Sequence, residues 1–136
     1  MAFDMTLRFL ALAGDGIGPE IMTATLAVLD AVRPRLERDV VIRNESIGFA
    51  ALEAHGSTIP ETVIERAKAS DAVLLGPVSH NAYPSRAEGG LNPSGVLRRE
   101  LDLYANIRPA RTWGGLKAPA QRPFDLIVAR ENLEGF

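Results

Sequence analysis

The sequence predicts an α/β protein, a three-layer sandwich with a largely parallel open sheet. Short apolar runs alternate with segments of helical period in the order β-α-β-α-α-β, and a glycine-rich turn follows the first apolar run. Such alternation favours parallel strands, because a helix carries the chain back before the next strand begins. We expect residues 1–98 to form a first, cofactor-side lobe and residues 99–136 to begin a second lobe that is incomplete.

The composition is that of an ordinary globular protein. The chain has 136 residues, a formal net charge of -2 and 46% apolar residues. Without an excess of positive charge, nucleic-acid and acidic-membrane partners are disfavoured. No apolar run approaches the roughly 20 residues that span a bilayer, and the start lacks a secretory pattern. The absence of cysteine excludes disulfides and thiolate catalysis in this chain. These features fit a cytoplasmic protein.

The first strand, turn and helix are predicted from one continuous stretch. Leu7–Ala13 is a short apolar run, which indicates a buried strand. GDGIGPE follows at Gly14–Glu20, where Pro19 suits the first turn of a helix and Glu20 suits its dipole. The helix should end near Pro34. Its apolar residues fall on one helical face: Ile21, Ala24, Thr25, Val28, Leu29 and Val32.

The later elements follow from the same patterns of apolar period and punctuation. Two strands, Val40–Ile42 (reaching towards Glu45) and Ala72–Leu75, enclose helices at Gly48–His55 and Pro60–Ala69, the latter with Val63, Ile64 and Ala67 facing inward. A long loop follows at Gly76–Pro93, and loops of this length in compact domains are usually functional. The remaining elements are a helix from Ser94 or Gly95 to Leu101, a strand at Tyr104–Ile107, a loop at Thr112–Pro123 and a strand at Asp125–Ala129.

The glycine turn has two interpretations. Gly14, Gly16 and Gly18 could cradle a phosphate at the helix N-terminus. The spacing is G-x-G-x-G, however, and not the G-x-G-x-x-G of the dinucleotide fingerprint. Asp15 within the turn would also repel a phosphate. From the residues alone, a tight strand-to-helix turn and a ligand loop remain equally open.

Arginines are the second candidate site. Arg98 and Arg99 lie on a predicted helix and are typical of a solvated face. Arg108 and Arg130 each follow an apolar strand directly, and the carboxyl ends of parallel strands are where open sheets bind ligands. A charge buried there needs a carboxylate partner. That partner could be structural, Glu131 or Glu134, or it could be the substrate.

Three motifs together resemble the amino-terminal part of the β-decarboxylating dehydrogenases, which include isocitrate, 3-isopropylmalate, homoisocitrate and tartrate dehydrogenases. The motifs are LALAGDGIGPEI at Leu10–Ile21, LRRELDLYANIRPAR at Leu97–Arg111 and DLIVARENLEGF at Asp125–Phe136. They occur in family order across essentially the whole chain, and the middle one is specific. The glycine turn alone would not be.

This resemblance implies an isopropylmalate dehydrogenase-like fold, truncated, and a substrate receptor built from arginine. Family members oxidise a 2-hydroxy acid with NAD or NADP and a Mg or Mn ion, and then release CO2. Their di- or tricarboxylate substrates share a malate core held by three arginines, which by motif correspond to Arg98, Arg108 and Arg130. Asn92 and Ser94 correspond to positions that contact the variable substituent.

The resemblance also implies a cofactor crevice and an incomplete active site. Ile17 and the segment formed by Gly76, Pro77, Val78 and Ser79 correspond to parts of the crevice. The family's tyrosine, lysine and metal-binding aspartates would lie beyond Phe136. We therefore expect neither catalytic residues nor metal ligands in this fragment, and no activity from it alone. The full-length protein is expected to be a homodimer.

Two departures leave the substrate open. Isocitrate enzymes carry S-x-N where this chain has Asn92-Pro93-Ser94, and isopropylmalate enzymes often carry a glutamate where Leu91 stands. A tartrate-like or unassigned member therefore fits as well. The alternative function is a non-catalytic anion- or nucleotide-binding α/β module, which the missing acid–base and metal residues favour. A stand-alone structural domain is disfavoured by a chain that ends just after a strand.

Overall fold

A computed structural model of the protein describes residues 6–116 and 122–132. The chain divides into two compact units, one up to Leu101 and one from Asp102. The sequence analysis placed this boundary after Arg98, and the assignment of the first unit to the cofactor side stays a prediction. The elements are β1 (Leu7–Leu12), α1 (Gly18–Val32), β2 (Val40–Glu45), α2 (Phe49–His55), α3 (Glu61–Lys68), β3 (Ala72–Leu75), α4 (Pro93–Glu100), β4 (Ala105–Arg111) and β5 (Asp125–Glu131).

The first unit is built on a parallel sheet in the order β2-β1-β3. Leu7 pairs with Val40 at the start of β1, and Leu12 pairs with Leu75 at its end. Each return to the sheet passes through helices, since α1 joins β1 to β2 while α2 and α3 join β2 to β3. The predicted α/β class with parallel strands is therefore confirmed. Helical crossovers between strands are the usual connection in such sheets.

The core lies between β1 and the helices α3 and α4. Leu10 and Leu12 project from one face of β1, since alternate residues of a strand share a face, and both are fully buried. The three residues of α3 that were predicted to face inward are indeed buried. With Ile47, Ile59 and two residues of α4 they complete one cluster: Val63, Ile64, Ala67, Val96 and Leu97.

The apolar face of α1 is largely exposed in the part of the chain that the structure describes. Ile21 and Val28 are 45% and 66% exposed, and Val32 is exposed as well. Only Gly18 and Met22 of this helix are buried. Met22 points about 100° around the helix from Ile21, so the helix rests on a narrow side next to its apolar stripe. Periodicity identifies a face suited to burial, but it does not supply the element that covers it.

The second unit is a two-stranded antiparallel ribbon. Arg108 pairs with Val128, and Asn106 pairs with Arg130. Both strands run further than predicted, since β4 continues through Pro109 to Arg111 and β5 continues past Ala129 to Glu131. A proline is tolerated in an edge strand, where its missing N–H need not serve a ladder. In the described part of this unit, β4 has β5 as its one partner.

Among the described residues, no helix combines the length and the apolar character needed to cross a bilayer.

Candidate functional site

The carboxyl ends of β1 and β3 lie side by side at the point where the strand order reverses. After β1 the chain turns through Gly14 to reach β2 on one side, whereas β3 lies on the other side of β1. Open α/β sheets bind ligands in the crevice outside this switch point. The glycine turn and the segment from Gly76 to Ser79 leave the sheet at this place. The fold therefore brings the two predicted parts of the cofactor crevice to one edge.

The backbones of these two segments are in direct contact. The amide of Asp15 donates to the carbonyl of Pro77 at 2.8 Å, and the amide of Gly76 donates to the carbonyl of Leu12 at 2.8 Å. Gly14 has a φ of +76°, and a Cβ on it would overlap the Pro77 carbonyl oxygen. Glycine is needed there both for the left-handed backbone and for the close approach. The turn and the segment after β3 thus form one backbone unit.

Asp15 lies at the centre of this unit, with only 8% of its surface exposed. Its carboxylate accepts hydrogen bonds from the amide of Phe49 at 2.8 Å and the amide of Ser79 at 2.9 Å. The hydroxyl of Tyr83 donates to the same carboxylate. The ring of Tyr83 also packs edge-on against Phe49, with centroids 5.0 Å apart. One side chain therefore joins the turn after β1, the start of α2 and the segment after β3.

These bonds decide between the two interpretations of the glycine turn. Two of its amides are already used, since Asp15 donates to Pro77 and Gly18 donates to the carbonyl of Asp15 at 2.9 Å. A buried carboxylate also occupies its centre, where a phosphate would meet like charge. The geometry favours a tight strand-to-helix turn over a phosphate cradle. Ile17 stands out from the turn with 58% of its surface exposed.

The hydrogen bonds also shift the titration of both partners. Burial alone would raise the pKa of Asp15, but the donors on Ser79, Tyr83 and Phe49 together lower it below the usual 3.8. Burial and the bond to Asp15 raise the pKa of the Tyr83 hydroxyl well above its ordinary range. At neutral pH the carboxylate is therefore ionised and the phenol is protonated, which is the pairing the hydrogen bond requires.

We expect Asp15 to contribute to acid unfolding. The pKa of its carboxyl is lower in the folded chain than in the unfolded chain, so its stabilisation is complete above about pH 4 and is lost as the pH falls through the folded value. The free energy of unfolding should fall more steeply below that pH for the wild type than for Asp15→Asn. Urea titrations at several pH values measure this slope. Glu53→Gln, which alters an exposed carboxylate on α2, is the control and should change the slope less.

The remaining crevice residues differ in accessibility. Pro77 is exposed, whereas Gly76, Val78 and Ser79 are half-buried. Val78 packs against the core cluster, which anchors the segment from beneath. Ile17 and Pro77 are thus the two exposed apolar residues of these segments. Their role in cofactor binding remains a prediction.

Asn92 and Ser94 lie at the start of α4. The Asn92 side-chain carbonyl accepts a hydrogen bond from the Gly95 amide at 3.3 Å, so Asn92 caps the helix. The side-chain NH2 group of Asn92, an exposed residue, is the donor that a ligand could contact. Ser94 is half-buried in the first turn. Asn92 therefore has a structural role whether or not it also contacts a substrate.

The capping role can be separated from ligand contact by substitution. Asn92→Ala should lower the free energy of unfolding by about 1 kcal/mol, the usual effect of losing an N-cap. Asn92→Ser keeps a capping oxygen and should restore most of that loss. Chemical denaturation of the three proteins tests this prediction. Equal destabilisation by both substitutions would show that the cap contributes nothing.

Thr58 is a positioning residue that the sequence analysis missed. It is fully buried, and its hydroxyl lies 2.7 Å from the Leu91 carbonyl oxygen and accepts from the Leu91 amide at 2.9 Å. The Thr58 amide donates to the Gly89 carbonyl at 3.0 Å. These bonds fix the chain immediately before Asn92. A lone threonine in a loop carries no local sign of such a partner, which lies 33 residues away.

Arg98 lies in the last turn of α4. It is half-buried, next to the fully packed Leu97, while Arg99 is exposed. Glu100 forms an ion pair with Lys68 at 2.7 Å across to α3. The surface interpretation therefore holds for Arg99 and Glu100, and Arg98 is the more enclosed of the two arginines.

Arg108 and Arg130 project from the same face of the β4–β5 ribbon. Asn106 lies opposite Arg130, and Arg108 lies two residues further along the same strand. Directly opposite residues share a face, and diagonal neighbours lie roughly 7–8 Å apart, so the two arginines occupy neighbouring positions on that face. The argument that placed them at the carboxyl ends of parallel strands is wrong, because both lie within antiparallel strands. The pairing itself brings them together.

This face, formed by Asn106, Arg108, Ala110, Leu126, Val128 and Arg130, holds no acidic residue among those that the structure describes. Arg108 donates from Nε to the Asn106 side-chain oxygen at 3.0 Å, which leaves its two terminal nitrogens for another acceptor. Alternation places Glu131 on the opposite face, across from Ala105. Glu134, the other predicted structural partner, lies outside the described residues.

The opposite face of the ribbon carries its own charges. Arg111 pairs in register with Asp125, and its guanidinium stacks 4.0 Å above the centre of the Trp113 ring. Arg111 thus has an aromatic partner on a surface separate from Arg108 and Arg130. It serves as an internal control for any ligand that the other two arginines bind.

Within residues 6–116 and 122–132, no group of three or more metal-ligating side chains is close enough to hold an ion. His80 begins a short 3-10 turn and is exposed. The metal-binding aspartates that the resemblance places beyond Phe136 stay a prediction.

A parallel α/β sheet with a glycine turn at its switch point defines an open-sheet α/β protein. Comparison with known proteins identifies its family. The chain belongs to the isocitrate/isopropylmalate dehydrogenase family, which it matches over residues 8–136. The resemblance drawn from the three motifs is confirmed.

Similar proteins agree with this membership. A 3-isopropylmalate dehydrogenase of Streptococcus thermophilus (strain CNRZ 1066) is 45% identical, over 93% of this chain and 39% of the relative. One from Mycolicibacterium vanbaalenii is 40% identical, over 95% of this chain and 38% of the relative. The chain thus spans about two fifths of the length of these relatives.

Solved structures show the same fold. An isocitrate dehydrogenase from Methylococcus capsulatus superposes with a TM-score of 0.75 at 31% identity, covering 95% of this chain and 35% of that one. A β-decarboxylating dehydrogenase from Thermococcus kodakarensis gives a TM-score of 0.71 at 32% identity with the same coverage. The predicted fold, isopropylmalate dehydrogenase-like and covering part of the full structure, is confirmed.

Proposed function

We propose that this chain is the substrate- and cofactor-binding amino-terminal part of an NAD(P)-dependent oxidative decarboxylase of a 3-substituted malate. The matched relatives carry the name 3-isopropylmalate dehydrogenase, so isopropylmalate is the first substrate to test. The chain alone should not turn over substrate. We further propose that the full-length protein is a cytoplasmic homodimer that requires Mg or Mn.

The carrying observation is the acid-free face of the ribbon. A guanidinium matches a carboxylate in a bidentate arrangement, and two neighbouring guanidinium groups match a diacid. Arg108 is already oriented by Asn106, so less freedom is lost when its terminal nitrogens bind. The malate core carries two carboxylates, which this face would neutralise. Arg98 is proposed as a further substrate-binding residue on the resemblance alone.

Binding by the arginines would do more than neutralise charge. Two bidentate contacts fix a diacid against rotation, and the orientation decides which hydrogen on C2 faces the cofactor. When bound, NAD would supply the hydride acceptor that oxidation at C2 requires. The chain's own residues for that cofactor are Ile17 and the segment Gly76–Ser79, at the switch point where its sheet presents a crevice. Asn92 and Ser94 would face the substituent at C3.

A thermal-shift experiment tests this function. The chain is heated with 3-isopropylmalate or malate and, separately, with inorganic phosphate. The proposal predicts that the diacids raise the melting temperature of the wild type and do not raise that of Arg108→Ala. A shift by phosphate that is the same in both proteins would support the alternative, a non-catalytic anion-binding module, and would overturn the proposed function.

A further inference from the structure

The buried carboxylate of Asp15 is not itself a proposed cofactor contact, but it fixes the segment that is proposed to bind the cofactor. Asp15 accepts from the amide of Ser79 and from the hydroxyl of Tyr83, which are four residues apart. Between them, the Ala82 amide donates to the Ser79 carbonyl at 2.8 Å and closes a 3-10 turn. A short turn held at both ends by one side chain has little freedom left.

The same carboxylate is held in place from the other side. The Phe49 amide donates to it at the start of α2, and the Phe49 ring contacts Tyr83. Gly48 approaches so closely that a Cβ there would overlap both carboxylate oxygens. The Asp15 carboxylate is therefore held by hydrogen bonds between the first turn of α2 and the segment after β3, and it packs closely against Gly48.

We propose that Asp15 is a positioning residue of the dinucleotide site, whose carboxylate holds residues 76–83 in the conformation that binds NAD+. This inference rests on the proposed function, since it assigns a role within that cofactor site. Asp15 takes the Ser79 amide for itself, so the side of the segment left for the cofactor is the exposed surface of Pro77 and the Ser79 hydroxyl. Asp15 acts through these groups and does not touch NAD+.

The experiment combines hydrogen exchange with NAD+ titration of the 136-residue chain, well below its melting temperature. The variants are Asp15→Asn, which replaces one of the two accepting oxygens with an NH2 donor, and Tyr83→Phe, which removes one hydroxyl and keeps the ring. The control is Tyr104→Phe, the same change at the chain's second tyrosine, which is 65% exposed. Tyr83→Phe keeps the test decisive if Asp15→Asn does not fold.

We expect exchange of the Ser79 amide to accelerate at least tenfold in Asp15→Asn and about threefold in Tyr83→Phe. The dissociation constant for NAD+ should rise by similar factors, whereas Tyr104→Phe should match the wild type. A role in stability alone would lower the melting temperature and leave NAD+ affinity unchanged, which would overturn the inference and leave the proposed function standing. Failure of the wild type to bind NAD+ would instead overturn the cofactor part of the proposed function, and the inference with it.

Discussion

Gly48→Ala should destabilise the first unit by about 3–5 kcal/mol, a large part of the stability of a small domain. Gly48 has φ 73° and ψ −146°, a backbone conformation that is essentially restricted to glycine. The added methyl group would also overlap the carboxylate of Asp15 and displace it from Phe49 and Ser79. Urea denaturation measures the loss directly.

Gly56→Ala is the matched control for this substitution. Gly56 has φ 71° and ends the same helix, α2, but its ψ of 14° lies in the left-handed region and no atom lies within 4 Å of an added Cβ. Its replacement should cost about 1 kcal/mol. The difference between the two variants isolates the clash with Asp15 and the glycine-only backbone. Equal losses would contradict the position assigned to the carboxylate.

Arg108→Lys should weaken the binding of 3-isopropylmalate by about tenfold to a hundredfold, or roughly 1.4–2.8 kcal/mol. Lysine keeps the charge but loses the planar fork, and it also loses the Nε–H that holds the side chain on Asn106. Binding should therefore fall although the net charge is unchanged. Titration calorimetry gives the dissociation constant for each protein.

Arg111→Lys is the control within the same strand. Arg111 lies on the opposite face and stacks on Trp113, so the same change in chemistry falls outside the proposed receptor. We expect its affinity for the diacid to match that of the wild type. If both substitutions weakened binding equally, the ligand would be responding to overall charge and not to one face of the ribbon.

The sequence predicts the first unit well because its elements are defined by local signals. Short apolar runs locate β1, β2 and β3, and Gly56 ends α2 in the left-handed conformation that glycine supplies. The buried face of α3 follows from its helical period. Such signals depend on neighbours in the chain, so a single sequence contains them.

The errors arise where distant residues decide the outcome. The three donors to Asp15 lie 34, 64 and 68 residues away, and no spacing rule links them to it. The exposed stripe of α1 shows that an apolar period defines a surface without naming its partner. The antiparallel pairing of β4 with β5 likewise depends on contacts between distant residues. Pro109 lies inside β4, although a proline is more typical of a strand end.

The arginines show both kinds of outcome. Motif resemblance selects Arg108 and Arg130 as substrate residues. The prediction that both lie at the ends of parallel strands is wrong, because both lie within antiparallel strands. Their shared face follows instead from the pairing of Asn106 with Arg130. A resemblance can thus select residues whose spatial relation the sequence does not reveal.

The central claim is that Arg108 and Arg130 receive the two carboxylates of one diacid. NMR detection of the arginine guanidinium signals during a titration with 3-isopropylmalate tests it most directly. We predict that the signals of Arg108 and Arg130 shift together and saturate at the same ligand concentration, while those of Arg111 stay in place. Binding that leaves the Arg108 and Arg130 signals unmoved, or that moves Arg111 equally, would contradict the account.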